Sequence, residues 1–255
     1  KENLIAAYEE IKDIYKRHQH PLPRARYVDF NQGVDARLFT EEIVELLSRI
    51  AIRPLRIAFD DIKTFPSYNK AIRMSAAAGL KDFSNYLLYN FVDKPLDLYQ
   101  RLRINVELCD ELNVNIYSFP MKYHPIRKGK DDAEDLSHNR DYIGKHWNRK
   151  YIRAIQAILN STKGKVGKGI TFFLEAFGND ETEYMELLEM PETFILYRFF
   201  FKWLDEKGSM GTDHWRQCWS QCMNTLAEDE KQLVLDSIHT NTFYKEELEA
   251  VTSAD

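Results

Sequence analysis

The rhythm of apolar and polar positions changes twice along the chain. Over residues 3–17, Leu4, Ile5, Tyr8, Ile11 and Tyr15 share one helical face with charges between them, which predicts an amphipathic helix. His20-Pro21-Leu22-Pro23 ends it, because proline lacks the N–H donor and restricts the residue before it. Short apolar runs at 27–30, 55–59, 86–91 and 114–119 then recur at roughly the length of one strand–helix unit.

Helical patterns fill the intervals. Thr40 is a natural N-cap before Glu41 and Glu42, and Ile43, Leu46, Leu47 and Ile50 form the apolar stripe behind it. Residues 67–79 are alanine-rich and end at Gly79, and Pro95 opens a helix whose Leu98, Leu102, Val106 and Cys109 lie on one side. Strands alternating with helices predict an α/β fold with a parallel sheet joined by right-handed crossovers. The expected form is an incomplete parallel (β/α) barrel: four strand–helix units of a TIM-like half barrel, with ligands beyond the C-terminal strand ends.

After Pro125 the strand signal stops. Residues 126–140 are polar, 142–159 follow a helical pattern, and 161–169 are rich in glycine and lysine. Helices are expected near 170–177, 181–189, 191–206, 212–226 and 228–238, an all-helical C-terminal region. The chain thus divides into a strand–helix part (1–125), a basic linker with a helix (126–169) and a helical part (170–255).

Charge sharpens that division. The net charge is −5, yet 121–170 carries 12 basic and 5 acidic residues whereas 171–255 carries 6 and 18. The basic stretch 121–168 offers a surface to RNA or to another protein, although a solvated, locally compensated surface has the same composition. Three cysteines, Cys109, Cys218 and Cys222, argue against a disulfide framework and for a reducing compartment, by default the cytoplasm. No run approaches the roughly 20 apolar residues of a membrane helix, and no signal peptide is visible. The sequence opens on Lys1, so the natural start is expected elsewhere.

Candidate chemistry gathers at the predicted strand ends. Residues 29–37 bring Gln32, Asp35 and Arg37 around Gly33, a set able to hydrogen-bond ribose hydroxyls and an amino-acid group, or to tie the loop to its neighbours. Asp60-Asp61 ends the second run, where a carboxylate can accept from ribose or cap the next helix. Tyr89-Asn90 ends the third run and Met121-Lys122-Tyr123 the fourth, groups that suit a flat purine and equally suit a core.

Taken together, residues 29–42 (DFNQGVDARLFTEE), 57–62 (IAFDDI), 86–103 (YLLYNFVDKPLDLYQRLR) and 116–126 (IYSFPMKYHPI) resemble the later strands of radical S-adenosylmethionine proteins in order and spacing. They resemble the group often found beside cobalamin-binding modules. The resemblance spans 26–125, and 144–164 (GKHWNRKYIRAIQAILNSTKG) is similar to the tail of that group. It implies a partial barrel of six units with S-adenosylmethionine across the strand ends, held by Gln32, Asp35, Arg37, Asp60, Tyr89, Asn90, Met121 and Tyr123. It also implies a [4Fe-4S] cluster that reduces the sulfonium, releasing methionine and a 5′-deoxyadenosyl radical that takes hydrogen from a substrate. A flavodoxin or ferredoxin as reductant, and a role for cobalamin, belong to the same implication.

The sequence departs from that family at the cluster. A C-x3-C-x2-C loop should supply three thiolates, and none is present: Cys109 falls within a predicted helix, and Cys218 and Cys222 within the tail. The expectation is therefore a fragment of such an enzyme, two units short at its N-terminus, that retains the half of the site holding nucleoside and methionine. The alternative is a non-catalytic binding module that contacts RNA or a protein through 121–168. A third reading is a metal-dependent enzyme using Asp35, Asp60 and Asp61. His214-x3-Cys218-x3-Cys222 spans two helical turns, too far for three ligands to share one ion easily.

Overall fold

In a computed structural model, residues 2–19, 27–125 and 142–240 are described. The proline stop at 20–23 and the whole polar loop 126–140, His138 included, lie outside them. Helix α1 (Glu2–Gln19) forms where the periodicity predicts it, and its Ile5, Tyr8 and Ile11 are exposed. The side chains of Leu4 and Tyr15 lie outside the described ones.

Three strands, β1 (Leu55–Arg56), β2 (Asp82–Tyr89) and β3 (Asn115–Lys122), form a parallel sheet in sequential order. Helix α2 (Glu41–Ser48) precedes the sheet, α3 (Phe65–Ala77) connects β1 to β2, and α4 (Pro95–Leu112) connects β2 to β3. The four-strand half barrel is thereby corrected. The run at 27–30 makes no strand, only single bridges of Val28 to Ile52 and Val34 to Ile57. Its extended backbone is interrupted by a tight turn in which Gly33, at φ 80°, donates its N–H to Phe30 O at 2.9 Å. Three strands present too little stagger to curve round on themselves.

Strand periodicity decides what this sheet buries. Leu55, Ile57 and Phe59, then Phe83, Asn85, Leu87 and Tyr89, then Ile116 and Ser118 point to the face packed by α3 and α4, and all are buried. A polar network crosses that face. Tyr68 Oη donates to Asn105 Oδ1 (2.8 Å) and accepts from Asn85 Nδ2 (2.8 Å), while Asn105 Nδ2 donates to Ser118 Oγ (2.8 Å). Each polar atom finds a partner, so α3, α4 and two strands are held in a single register.

The helical region is α5 (Arg149–Ser161), α6 (Ile170–Phe177), α7 (Glu181–Glu189), α8 (Glu192–Leu196), α9 (Arg198–Glu206), α10 (Thr212–Thr225) and α11 (Glu228–Thr240). Asn148 and Asp180 cap α5 and α7 through their side chains. Tyr99 of α4 packs its ring on Phe173 (5.5 Å) and Tyr184 (4.9 Å), so the core runs without a break from the sheet into α6 and α7. Val166 exchanges two backbone bonds with Ser118 (2.7 and 2.9 Å), which gives the glycine–lysine loop a place against the outer edge of β3. No described helix is long and apolar enough to cross a membrane.

Candidate functional site

The second face of the sheet is the one that stays open. Arg56 and Ala58, then Ser84, Tyr86 and Leu88, then Tyr117, Phe119 and Met121 alternate with the buried set, and only Ser84 among them is buried. Parallel pairing sets Arg56 beside Ser84, Ser84 beside Tyr117, Tyr86 beside Phe119 and Leu88 beside Met121. The result is an apolar platform, with the Tyr86 and Phe119 rings 5.8 Å apart. Parallel sheets are ordinarily covered on both faces, so an accessible one is a feature to explain.

Polar groups frame the platform at two places. Arg56 stands over the Tyr86 ring, its guanidinium carbon 5.3 Å from the ring centre, and makes a two-bonded pair with Asp29 (2.8 and 3.0 Å), whose carboxyl it holds below the usual range. Asp60 stands at the C-terminal end of the β1 segment. Its side chain reaches solvent, yet the surrounding protein raises its carboxyl above the usual aspartate range, against the pull of Arg101 and of the Leu88 N–H. An aromatic platform with a carboxylate acceptor at its rim can take a flat ring bearing a diol.

Beneath this rim lies Arg101, which periodicity did not single out. Its fully buried guanidinium donates to Phe59 O (3.2 Å), Asp60 O (2.9 Å), Leu88 O (2.8 Å) and its own helix at Asp97 O (3.1 Å), and faces Asp93 Oδ2 at 3.5 Å. One side chain thus collects the carbonyls at the ends of two strands. A signal for it exists: Arg101 and Asn105 interrupt an otherwise apolar stripe on α4 at helical spacing.

Of the eight residues expected to hold a nucleoside and methionine, the structure brings Asp60 and Met121 to the open strand ends, while Tyr123, just past β3, packs its ring against Phe91 (4.3 Å) and Tyr142 (5.5 Å). Gln32 is exposed in the turn beside β1. Asp35 caps the short turn that follows and forms a close ion pair with Arg37 (2.6 Å), which holds its carboxyl down at about 2. These two groups neutralise each other. Tyr89 is buried on the helix side against Trp147, and burial pushes its phenol up to about 12. Asn90, at φ 68°, spends its side chain on the segment before α5: Oδ1 accepts from Gly144 N (2.8 Å), and Nδ2 donates to Tyr142 O (3.0 Å). Trp147 Nε1 donates to Asp93 O (2.9 Å). Residues 89–93 and 142–147 therefore form a latch behind the strand ends.

Gly144 is the tightest point of that latch, since a Cβ placed there would meet Phe91 O at 2.5 Å. Gly144→Ala is expected to cost about 1–3 kcal/mol, as overpacking against backbone does, visible as a lowered urea midpoint with unchanged slope. A loss under about 0.5 kcal/mol, the scale of an ordinary surface substitution, would refute the tight packing.

The remaining candidates separate. Asp61 caps a short turn by accepting from Lys63 N, and no described group of three or more His, Cys, Asp or Glu side chains is placed to hold a metal. Cys109 is buried, with Sγ accepting from Ile116 N (3.2 Å), whereas Cys218 and Cys222 ride on α10, Cys218 lying 3.7 Å from His214 Nε2. Three cysteines so placed do not fit an iron–sulfur cluster. The basic segment is partly consumed inside the fold: Lys150 is buried on Met190 O (2.6 Å), Arg153 pairs with Glu192, and Lys168 donates to Asn113 Oδ1. A cavity of about 480 Å³ lies apart from the strand ends, among α6 to α10, with Leu174, Met190, Phe194 and Arg198 in its wall. Comparison with protein-family models, with curated proteins and with solved structures finds no match to this chain.

Proposed function

We propose that this chain is the nucleoside-holding part of a radical S-adenosylmethionine enzyme. The observation that carries the reading is the open sheet face, whose apolar platform ends at the Asp60 carboxylate within the stretch that resembles that family. Reduced S-adenosylmethionine would supply an organic radical for hydrogen abstraction from a substrate. The chain's own residues do the holding. Tyr86, Leu88, Phe119 and Met121 provide a surface for adenine, Asp60 accepts from ribose hydroxyls, and Arg101 fixes the strand ends on which these groups stand. The cysteines of this chain do not fit the cluster, so its thiolates would come from outside these 255 residues. Three free cysteines and an oxygen-sensitive reduction suit the cytoplasm.

Calorimetric titration with S-adenosylmethionine and with S-adenosylhomocysteine tests this reading. Both should bind, and Tyr86→Ala should weaken each about tenfold, the scale of one lost base–aromatic stack. Asp60→Asn should weaken the nucleosides but not adenine. Because the surrounding protein raises the Asp60 pKa, the ionised acceptor is lost, as pH falls, above the ordinary aspartate range. Absence of binding, or binding indifferent to both substitutions, would overturn the assignment. RNA binding that weakens steeply with salt, without nucleoside binding, would favour a binding module acting through 121–168.

A further inference from the structure

Helix α9 carries its apolar side outward. Phe199, Phe200 and Trp203 fall within one arc of the helix, and Tyr197 adjoins them at its start. They are 65%, 53%, 50% and 62% exposed, and no residue of α9 is buried. Phe201 faces the other way, half-buried and edge-on to the Phe194 ring at 4.3 Å, and Leu204 is half-buried at the margin of the aromatic arc. Helix α9 is therefore already seated by its inner side, and the outer aromatics are surplus to the packing of this chain.

We infer that this face is the contact between two copies of the chain, paired through antiparallel α9 helices about a twofold axis. Area is the first argument. Four aromatic residues of 150–250 Å², at these exposures, present roughly 500 Å² of apolar surface. One side of a standard-size protein interface is about 800 Å², of which about 57% is apolar, or roughly 450 Å². Charge is the second argument. Lys202 and Glu206, one turn apart beside the aromatic arc, are exposed and make no ion pair among the described residues. A twofold axis that crosses the antiparallel helices midway between Lys202 and Glu206 sets Lys202 of each copy opposite Glu206 of the other, two pairs from one operator. Closed twofold pairing is also the commonest way such a patch is satisfied without open-ended assembly.

Sedimentation velocity across about 1–100 µM chain, the range over which a micromolar dimer dissociates, tests the inference. A dimer is expected, and Trp203→Lys and Phe200→Glu should each weaken it about tenfold or more, as loss of an interface anchor does, with unchanged circular dichroism. Lys202→Glu and Glu206→Lys should each weaken it singly, and the two together in one chain should restore it. The charge reversal keeps α9 intact, so misfolding cannot imitate the rescue. A monomer at every concentration, a dimer indifferent to these substitutions, or no rescue by the double reversal would overturn it. So would a monomer that sediments with phosphatidylcholine–phosphatidylglycerol vesicles through Trp203, since the face would then meet lipid.

Discussion

Arg101→Met is expected to destabilise the fold by about 3–5 kcal/mol, the range for removing one partner of a buried charged pair. Methionine fills similar space and donates nothing. Phe59 O, Asp60 O and Leu88 O lose their common donor, and Asp93 loses the cation 3.5 Å away. Burial works against both charges, lowering the pKa of Arg101 and raising that of Asp93, and the pairing, together with the Phe91 N–H on Asp93, offsets part of that cost. Arg101→Lys should recover only part of the loss, because a single ammonium cannot reach carbonyls on two strands and the Asp93 carboxylate together.

The pH dependence of the Arg101→Met deficit has a definite sign. Asp93 has a folded pKa above its unfolded value, and without Arg101 that pKa rises further, so the protonated form is the one that favours folding. The favourable contribution is fully present below the ordinary aspartate range and is lost as pH rises through the raised pKa. The difference between wild type and variant should therefore shrink as pH is lowered from neutrality. Urea unfolding at pH 7 and pH 5 decides it: a deficit equal at both, or below about 1 kcal/mol at pH 7, would mean that Arg101 does not hold Asp93 and the strand ends as described. The same variant should weaken nucleoside binding, since Asp60 stands on one of the released carbonyls.

Much of the helical architecture was legible in the sequence, because caps and a 3.6-residue apolar period are local signals. The helices at 170–177 and 181–189 lie where the periodicity put them, and Pro95 and Thr40 open their helices as read. The expected helix at 191–206 breaks at Tyr197, whose backbone leaves helical geometry. The helix expected from 142 begins only at Arg149, because Gly144 and Trp147 are drawn into tertiary contacts that no local pattern announces. The sheet was less legible. An apolar run alone does not make a strand, and 27–30 shows why: Asp29 is drawn to Arg56 and the chain turns at Gly33 before a ladder can extend. Alternation within the runs carries the finer signal. Ser84, Tyr86 and Leu88 mark one face of β2, and that face, more than the strand-end residues, frames the candidate site.

Asn90 separates a structural role from a binding one most sharply. Asn90→Ala is expected to cost about 3 kcal/mol, in two parts. The first part leaves Gly144 N–H without its acceptor and Tyr142 O without its donor, about 1–3 kcal/mol for buried groups. The second is backbone strain, since φ 68° is left-handed and an alanine there costs about 1 kcal/mol more than asparagine or glycine. Asn90→Gly should therefore be less harmful than Asn90→Ala by about 1 kcal/mol, an inversion of the usual order, because glycine loses the hydrogen bonds but not the conformation. Asn90→Asp keeps the bond from Gly144 N–H and sets a carboxylate against Tyr142 O, so it should fall on the side of alanine. Urea midpoints for the three variants give the ranking directly. If Asn90 instead served a bound nucleoside, all three would unfold near the wild-type midpoint and differ only in ligand affinity, an outcome incompatible with a side chain whose oxygen and nitrogen are both committed to holding 142–144 against the end of β2.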